Sequence, residues 1–445
     1  MRAKSKDYAG LLKDIRAADG HKVQVAGTDV DGILRGRFIH KDHFFKVVEQ
    51  GLSFSDVVFR WDSSDRCRTI EGSDRYGYPN VTLALDMATC RRLPWAEGAP
   101  FFLGDFEDSQ NEPLVMCPRQ ILKKVVDRVY KAGFLVQVGT EFEWVNFKET
   151  SESLTNKGFQ SPEPISNGMF GYSLVRSGLF QDYMNLIMNQ LEDFDVPLES
   201  VHFESGPGML EGSIVKSDPL EAADRAVLFK MGVKKSAYQL GYIASFMARW
   251  STDYPGCGGH IHQSLLNSDG SSAFFDKNDQ NNMSELFKHY VAGLNHCLPE
   301  LLVLFAPNVN SYKRFGSDPR TVLDSSWGID HRGKAMRVIP GDDSSTRLEV
   351  RVGGADMNPY LCIAACLAAG LYGIENKLPL KSEDEHRPIF KSLFEATQKF
   401  QKSEVASSLF GKEFVDYYAE TRFWEWEQSQ KSVSDWELKR YLEIL

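Results

Sequence analysis

Apolar and polar positions along the chain alternate in short runs, separated by stretches with helical period. Residues 9 to 18 carry apolar positions at helical spacing. The stretch HKVQVAGTDVDGILRGRFI then predicts strand, turn and strand, with Asp31-Gly32 at the turn. Residues 40 to 51 predict a helix. SFSDVVFRWDSSDR predicts a strand with a polar loop, and NVTLALDMAT predicts a further strand. At CPRQILKKVVDRVYKAGF the period turns helical, with Pro118 placed as a first-turn proline. Beyond it, strands are predicted at 138–147, 199–204, 243–248, 258–265, 335–339 and 346–352. Helices are predicted at 179–193, 218–239, 283–298 and 358–375. In SDWELKRYLEIL, Ser434 is placed as an N-cap with Glu437 three residues on, the capping-box spacing.

One strand pattern raises a chemical question. VGTEFEWVNF, residues 138 to 147, sets Glu141 and Glu143 inside a run of β-forming residues. Residues two apart on a strand share a face, so both carboxylates point the same way, opposite Phe142 and Trp144. Two like charges so placed repel, and burying them unpaired is costly.

Three other segments repeat the theme. VHFESGPGMLEGSI sets Glu204 and Glu211 on either side of a Gly-Pro-Gly turn. GCGGHIHQSL sets His260 and His262 on one strand face. TRLEVRV turns Arg347, Glu349 and Arg351 to one side. Each has a bland reading alone: a solvated strand face, a turn, a cross-strand ladder of ion pairs. Together, in one part of the chain, they point to a metal–phosphate site. Carboxylates with an imidazole suit Mg or Mn. Arg314, Arg332, Arg337, Arg347 and Arg351 suit phosphate and carboxylate groups, which a guanidinium fork binds bidentately. No GxxxxGK[ST] and no GxGxxG occurs, so a nucleotide would be held by metals and arginines rather than a glycine-rich loop.

Length and charge narrow the class. A chain of 445 residues predicts two domains. The first is a small α+β unit ending near EDSQNEP. A net charge of −10 speaks against a nucleic-acid binder. No apolar run reaches the roughly 18 residues of a membrane helix, and no apolar signal-peptide core follows the basic start. The expectation is a soluble, cytoplasmic protein. The seven cysteines are scattered without a CxxC pair, as fits reduced thiols. Cys362 and Cys366 fall one turn apart in an apolar helix pattern and read as core.

The motifs resemble those of glutamine synthetase and its relatives, the γ-glutamyl-amine ligases. TEFEW, HFESGPGMLE, GHIHQSL, NSYKRF, HRGKAMRVIP, RLEVRVGGADMNPYLCIAA and DWELKRYL fall in family order over nearly the whole chain. The resemblance implies an α+β fold: a small N-terminal β-grasp-like domain, residues 1–112, and a large catalytic domain, residues 113–445, with a curved antiparallel sheet backed by helices. It implies a homo-oligomeric ring, a dodecamer, with active sites between neighbouring subunits. It implies ATP as co-substrate and two to three Mg or Mn ions per site. Glu143, Glu204 and Glu211 match ligands of the ion beside the amino acid, and Glu141, His260 and Glu349 those of the ion on the ATP phosphates. His262 and Ser264 match nucleotide-contacting positions. Arg337 and Arg347 match phosphate-binding positions, and Arg332 one that stabilises the transferred phosphate. Arg314 and Arg351 match the pair that holds glutamate, with a backbone contact at Gly256. The implied reaction makes γ-glutamyl phosphate from ATP and glutamate, and an amine then displaces the phosphate.

Departures from the ammonia-using pattern bear on the acceptor. Those enzymes carry a flap glutamate six residues after the arginine of NSYKR. Here Arg320 holds that position, with Asp318 close by in sequence. The latch Asp-Gly-Ser-Ser reads WDSSD, with Asp62 as the matching acid and Asp65 nearby. Pro255 replaces the family's usual asparagine, and the segment after IENKLPL lacks the tyrosine-bearing loop that some bacterial members adenylylate. TDVDGILRGRFI resembles the equivalent strand pair of amine ligases more than that of ammonia enzymes. The expected reaction is therefore ligation of glutamate to an organic amine. Three alternatives stand beside it: an ammonia-using glutamine synthetase, a structural relative such as the lens protein of this family, and a ligase for another acid.

Overall fold

The fold is taken from a computed structural model that describes residues 8–68, 78–316, 322, 324–383 and 385–445. Among these, fourteen strands build two sheets. The first holds β1 (Lys22–Thr28), β2 (Leu34–His40), β3 (Leu52–Ser55), β4 (Asn80–Leu85), β5 (Arg91–Leu93) and β6 (Ala99–Glu107). Their order is β2-β1-β6-β4-β3, with β5 on β6. β1 and β2 form the expected hairpin, with Gly32 at positive φ in the turn. The helix Lys41–Gln50 buries Phe44 and Val47. SFSDVVF does not continue as a strand: after Ser55 it tightens into a 3-10 turn, Asp56–Phe59, capped by the Ser55 side chain. A side-chain cap offers the backbone an alternative to a ladder.

The second sheet holds β7 (Leu135–Phe147), β8 (Leu198–Phe203), β9 (Met209–Ser217), β10 (Ile243–Ser245), β11 (Gly259–Leu266), β12 (Trp327–Ile329), β13 (Met336–Ile339) and β14 (Arg347–Val350). The order is β12-β13-β14-β11-β7-β9-β8, with β10 on β7. Neighbours are antiparallel except β12 and β13, which run parallel.

The alternation in VGTEFEWVNF sets how β7 sits. Phe142 and Trp144 are fully buried, while Glu141 and Glu143 lie on the other, partly open face. Behind β7, Phe142, Trp144, Phe229 and Phe246 pack ring on ring. Phe229 comes from the helix Pro219–Gln239, whose N-terminus Asp218 caps. One sheet face thus rests on helices and the other carries charge.

The helix Glu285–Phe305 runs past the expected end at residue 298, through Pro299. Proline removes one backbone donor, but the last turns are buried on nearly every side, and such packing supplies most helical stability. The helices Leu393–Gln401, Glu404–Phe410 and Lys412–Gln430 lie in a stretch without a clear sequence period. Ser434 and Glu437 form the expected capping box.

The two sheets are joined through buried polar contacts. Arg119 bonds Asp105 and Asp86 on one side and Asp224 on the other, each at about 2.9 Å. Tyr360 donates to Asp224 at 2.7 Å. Farther along, Asp31 pairs with Arg68 and Arg422, and Asn358 donates to the Val30 carbonyl.

Candidate active site

The register of the second sheet brings the separate motifs together. On β7, Glu141 stands opposite His260 of β11 and Ser213 of β9, and Glu143 stands opposite Glu211. On the far side of β11, His262 stands opposite Glu349 of β14, which stands opposite Arg337 of β13. Residues spread over more than 200 positions thereby share one face.

Two groups form on that face. In the first, His260 Nδ1 lies 3.3 Å from Glu141 and 3.6 Å from Glu349. His262 Nε2 lies 3.1 Å from the other Glu141 oxygen. Glu349, 1% exposed, is bracketed by Arg337 at 2.9 Å and by Arg351. In the second, Glu204 follows β8, Glu211 lies on β9, and His202 Nε2 sits 3.5 Å from Glu204 and 3.9 Å from Glu211. Glu143 faces this group, and its carboxylate accepts the Gly258 N–H. Among the described residues, donor atoms of Glu141, His262 and Glu349, and of His202, Glu204 and Glu211, lie within 4.8 Å of one another.

Protonation follows the surroundings. Burial alone would raise the Glu141 carboxyl, but hydrogen bonds with His260 and His262 outweigh it and hold the group well below the carboxylate range. Glu349 is likewise lowered against its burial, by the charges of His260 and Arg351. Glu211 goes the other way. Burial, then Glu143, Glu141 and Glu204, push it up to about 9. Crowded, partly buried carboxylates with imidazoles form a donor set that fits a divalent cation.

Cavities flank the two groups. One, of about 70 Å³, is lined by Glu143, Glu204, Pro255, Gly256, Arg314 and Arg351 among others. Arg314 is 7% exposed and fixed by the Gly353 carbonyl at 2.8 Å. A Cβ on Gly256 would lie 2.8 Å from its Cγ, and one on Gly258 would lie 2.8 Å from His260 Nε2. The glycines before GHIHQ therefore let the backbone close on the site. The other cavity, about 300 Å³, is lined on the Glu141 side by His262, Ser264, Ser345 and Arg347. Arg347 Nε approaches His262 Nδ1 at 3.3 Å, and Ser264 donates to the Thr346 carbonyl.

The remaining expected site residues are placed as follows. Arg332 is exposed, and its carbonyl accepts from Arg351 Nε at 3.0 Å. Arg337 also pairs with Asp330, 2.8 Å from its Nε. Asp62 lies in the first sheet's unit, just after the 3-10 turn Asp56–Phe59. Its carboxylate accepts the N–H groups of Ser64 and Arg66, with Trp424 Nε1 at 3.4 Å. Arg320 and Asp318 fall outside the described residues.

Two neighbours of the site were not singled out from the sequence. His202, on β8, precedes Glu204 by two residues, the same spacing that marked His260 and His262. Tyr172 stacks on His202 with ring centroids 4.4 Å apart. Its phenol is raised by burial and by Glu204 and Glu211, and lowered by Arg332. Its segment carries no charged or periodic signal.

A family model described as glutamine synthetase, catalytic domain, matches residues 115–441. The chain belongs to the glutamine synthetase family. Over 98% of its length it is 44% identical to the type-1 glutamine synthetase 2 of Dictyostelium discoideum, covering 86% of that protein. It is 34% identical to a glutamate–isopropylamine ligase of a Pseudomonas species, over 95% of each chain. It is 32% identical to a γ-glutamylethanolamide synthetase of Streptomyces coelicolor, over 96% of this chain and 94% of the other. The fold matches that of apo GmaS with a TM-score of 0.85, at 23% identity, over 97% of this chain and 99% of that one. The family expectation from the motifs and the fold class are both borne out. No described helix is long and apolar enough to cross a membrane.

Proposed function

We propose that this protein joins the γ-carboxylate of L-glutamate to an organic amine, using ATP and passing through γ-glutamyl phosphate. The observation that carries the reading is the two-sided site. A small cavity with two arginines and a groove with Arg347 and His262 meet at the two carboxylate–histidine groups.

The residues divide the work. Arg314, held rigid by backbone carbonyls, and Arg351 bind the carboxylates of glutamate, with the backbone at Gly256 beside them. Glu143, Glu204 and Glu211 hold the divalent ion next to that substrate. Glu141, His260 and Glu349 hold the one facing the nucleotide, with two to three ions per site in all. When bound, Mg or Mn supplies charge neutralisation for the phosphoryl oxygens. Arg337 and Arg347 orient the phosphates, Arg332 offsets charge on the group in transfer, and His262 and Ser264 line the nucleotide's path. The γ-carboxylate oxygen takes the phosphoryl group from ATP, leaving ADP. The amine nitrogen then bonds to the acyl carbon as the C–O bond to phosphate breaks. The amine also gives up a proton, which a carboxylate accepts. We assign that part to Asp62 reaching the site from a neighbouring subunit of a ring, a dodecamer.

Arg320 stands where ammonia-using members carry the flap glutamate that closes the site and favours ammonium, and with the altered latch it opens the acceptor pocket to an organic amine. The relatives named for isopropylamine and ethanolamide formation support that reading. The 44% identical relative named glutamine synthetase favours ammonia, so ammonia is the second reading. Phosphate release with ATP and glutamate over a panel of amines separates them. Ammonia as the best acceptor would overturn the amine reading. Exchanging Arg320 for Glu is expected to shift preference toward ammonia, and no shift removes the gate. We place the domain boundary at residues 112–113 and the protein in the cytoplasm, where its seven free thiols stay reduced.

A further inference from the structure

The hairpin TDVDGILRGRFI supplies none of the residues of the two carboxylate–histidine groups. Three of its charged side chains, Asp29, Asp31 and Arg35, act instead on the loop that carries Asp62. That loop runs from Trp61 to Arg68 and closes on itself. Trp61 bridges Cys67, the Asp62 N–H donates to the Arg66 carbonyl at 2.9 Å, and the Asp65 N–H donates to the Asp62 carbonyl at 3.0 Å. Oδ1 of Asp62 accepts the N–H groups of Ser64 and Arg66, while Oδ2 has Trp424 Nε1 at 3.4 Å. At the tip Asp65 has a φ of 59°, in the left-handed region that an aspartate tolerates better than most residues.

These local bonds fix the shape of the loop, and the hairpin fixes where it points. Arg35, near the start of β2, stands opposite Gly27 of β1. Its Nε donates to Asp29 at 2.8 Å and its Nη1 to the tip residue Asp65 at 2.7 Å. Its guanidinium carbon lies 5.1 Å from the centre of the Trp61 ring. Asp29 is 1% exposed, and its other oxygen accepts the N–H groups of Asp31 and Ile33 at 3.0 and 2.9 Å. The base of Arg35 is thereby locked into the hairpin turn. Asp31 takes the far end of the loop through Arg68 at 3.0 Å. The first residue, the tip and the last residue of the loop are all held by one hairpin.

Stability does not account for the contact at the tip. The Asp65 side chain is 58% exposed, and an ion pair in such a place adds little. What the contact supplies is direction. A guanidinium binds one acid through Nε, a second through Nη1, and lies against an indole, three constraints that an ammonium cannot impose together. We infer that Arg35 is a positioning residue for the ligation: through Asp65 and Trp61 it sets the loop so that Asp62 meets the amine at a neighbour's site. The inference rests on the part proposed for Asp62, and Arg35 acts only through that residue.

The test uses the full chain with Mg-ATP, glutamate and whichever of ammonia, isopropylamine and ethanolamine gives the wild type its fastest phosphate release. Arg35→Lys and Asp65→Gly are each expected to lower kcat by about tenfold, with the KM values for ATP and glutamate within about twofold of wild type. Asp65→Asn keeps an acceptor oxygen and tolerates the positive φ, so it retains most of the rate. The unfolding midpoint of Asp65→Gly stays close to that of wild type, because the side chain is exposed and glycine suits the backbone there. Arg35→Lys combined with Asp62→Ala is expected to be no slower than Asp62→Ala alone, since residues acting through one group are not additive. A further loss in that double variant would show that Arg35 acts elsewhere, and a loss in Arg35→Lys without one in Asp65→Gly would assign Arg35 to the hairpin alone. Either result overturns the inference. Full kcat in both single variants beside an inactive Asp62→Ala overturns it too, and leaves the part of Asp62 intact. Full kcat in Asp62→Ala overturns that part and the inference with it. Should Arg35→Lys fail to fold, Asp65→Gly, alone and with Asp62→Ala, decides the matter.

Discussion

Glu141 and Glu143 stand two positions apart on one strand face, yet their surroundings differ. Glu141 sits between two imidazoles and is held ionised. Glu143 accepts a backbone N–H and borders the cavity that holds Arg314. Glu141→Ala is therefore expected to raise the ATP KM by about tenfold or more with a smaller effect on glutamate, and Glu143→Ala to do the reverse. Steady-state kinetics with each substrate varied in turn makes the comparison. Identical defects in the two variants would count against the division. Glu211 supplies a second residue-level expectation. In the metal-free protein it keeps its proton up to about pH 9, and a metal ligand must lose it. Binding of Mg or Mn therefore releases a proton, and affinity rises with pH through neutrality until about 9. Titrations at two pH values, with proton release read in a weak buffer, check the sign. Affinity independent of pH would mean that Glu211 does not bind the ion as a carboxylate.

At the scale of elements, Arg119 ties the N-terminal sheet to the catalytic helices. Its 2% exposed guanidinium serves Asp86, Asp105 and Asp224, and those neighbours keep it charged in spite of burial. Arg119→Met strands the acids in a buried place, and is expected to cost about 3–5 kcal/mol of stability. Denaturant unfolding measures it, and a loss under about 1 kcal/mol would show that the acids find other partners or water. The same elements show what the sequence makes legible. β7 could be read because one face is apolar and the other charged, which gives a period of two. β6 could not, because eight of its nine residues are buried and a strand covered on both faces has no alternation. The helix Lys412–Gln430 mixes aromatic and charged residues around its whole circumference and shows no apolar stripe. In the site, charged and histidine residues in alternation were visible one strand at a time. The β9 bulge, which sets Val138 opposite Ser217 and Thr140 opposite Ile214, was not, since register is set by pairing between strands rather than by local pattern.

At the scale of the molecule, Asp62 poses the sharpest question. Its carboxylate is held by the N–H groups of Ser64 and Arg66, with Trp424 alongside. The proposed role of Asp62 has it serving a neighbouring subunit's site. In a closed ring each interface is the same head-to-tail contact, so every site would combine one chain's sheet with a neighbour's N-terminal unit. Two inactive variants can then repair each other. Asp62→Ala keeps an intact sheet, and Glu143→Ala keeps an intact Asp62. Assembled together at equal amounts, a site works only where an Asp62→Ala sheet meets a Glu143→Ala neighbour. Random mixing makes that pairing at one half times one half, about a quarter of sites. Each variant alone should be nearly inactive, and co-expressed or dissociated and reassembled mixtures should recover roughly a quarter of wild-type turnover. Mixing preformed, stable assemblies without exchange should recover nothing. Failure to complement in mixtures shown to contain both chains would place the whole site within one subunit, and would leave Asp62 as a turn-forming residue of the N-terminal unit.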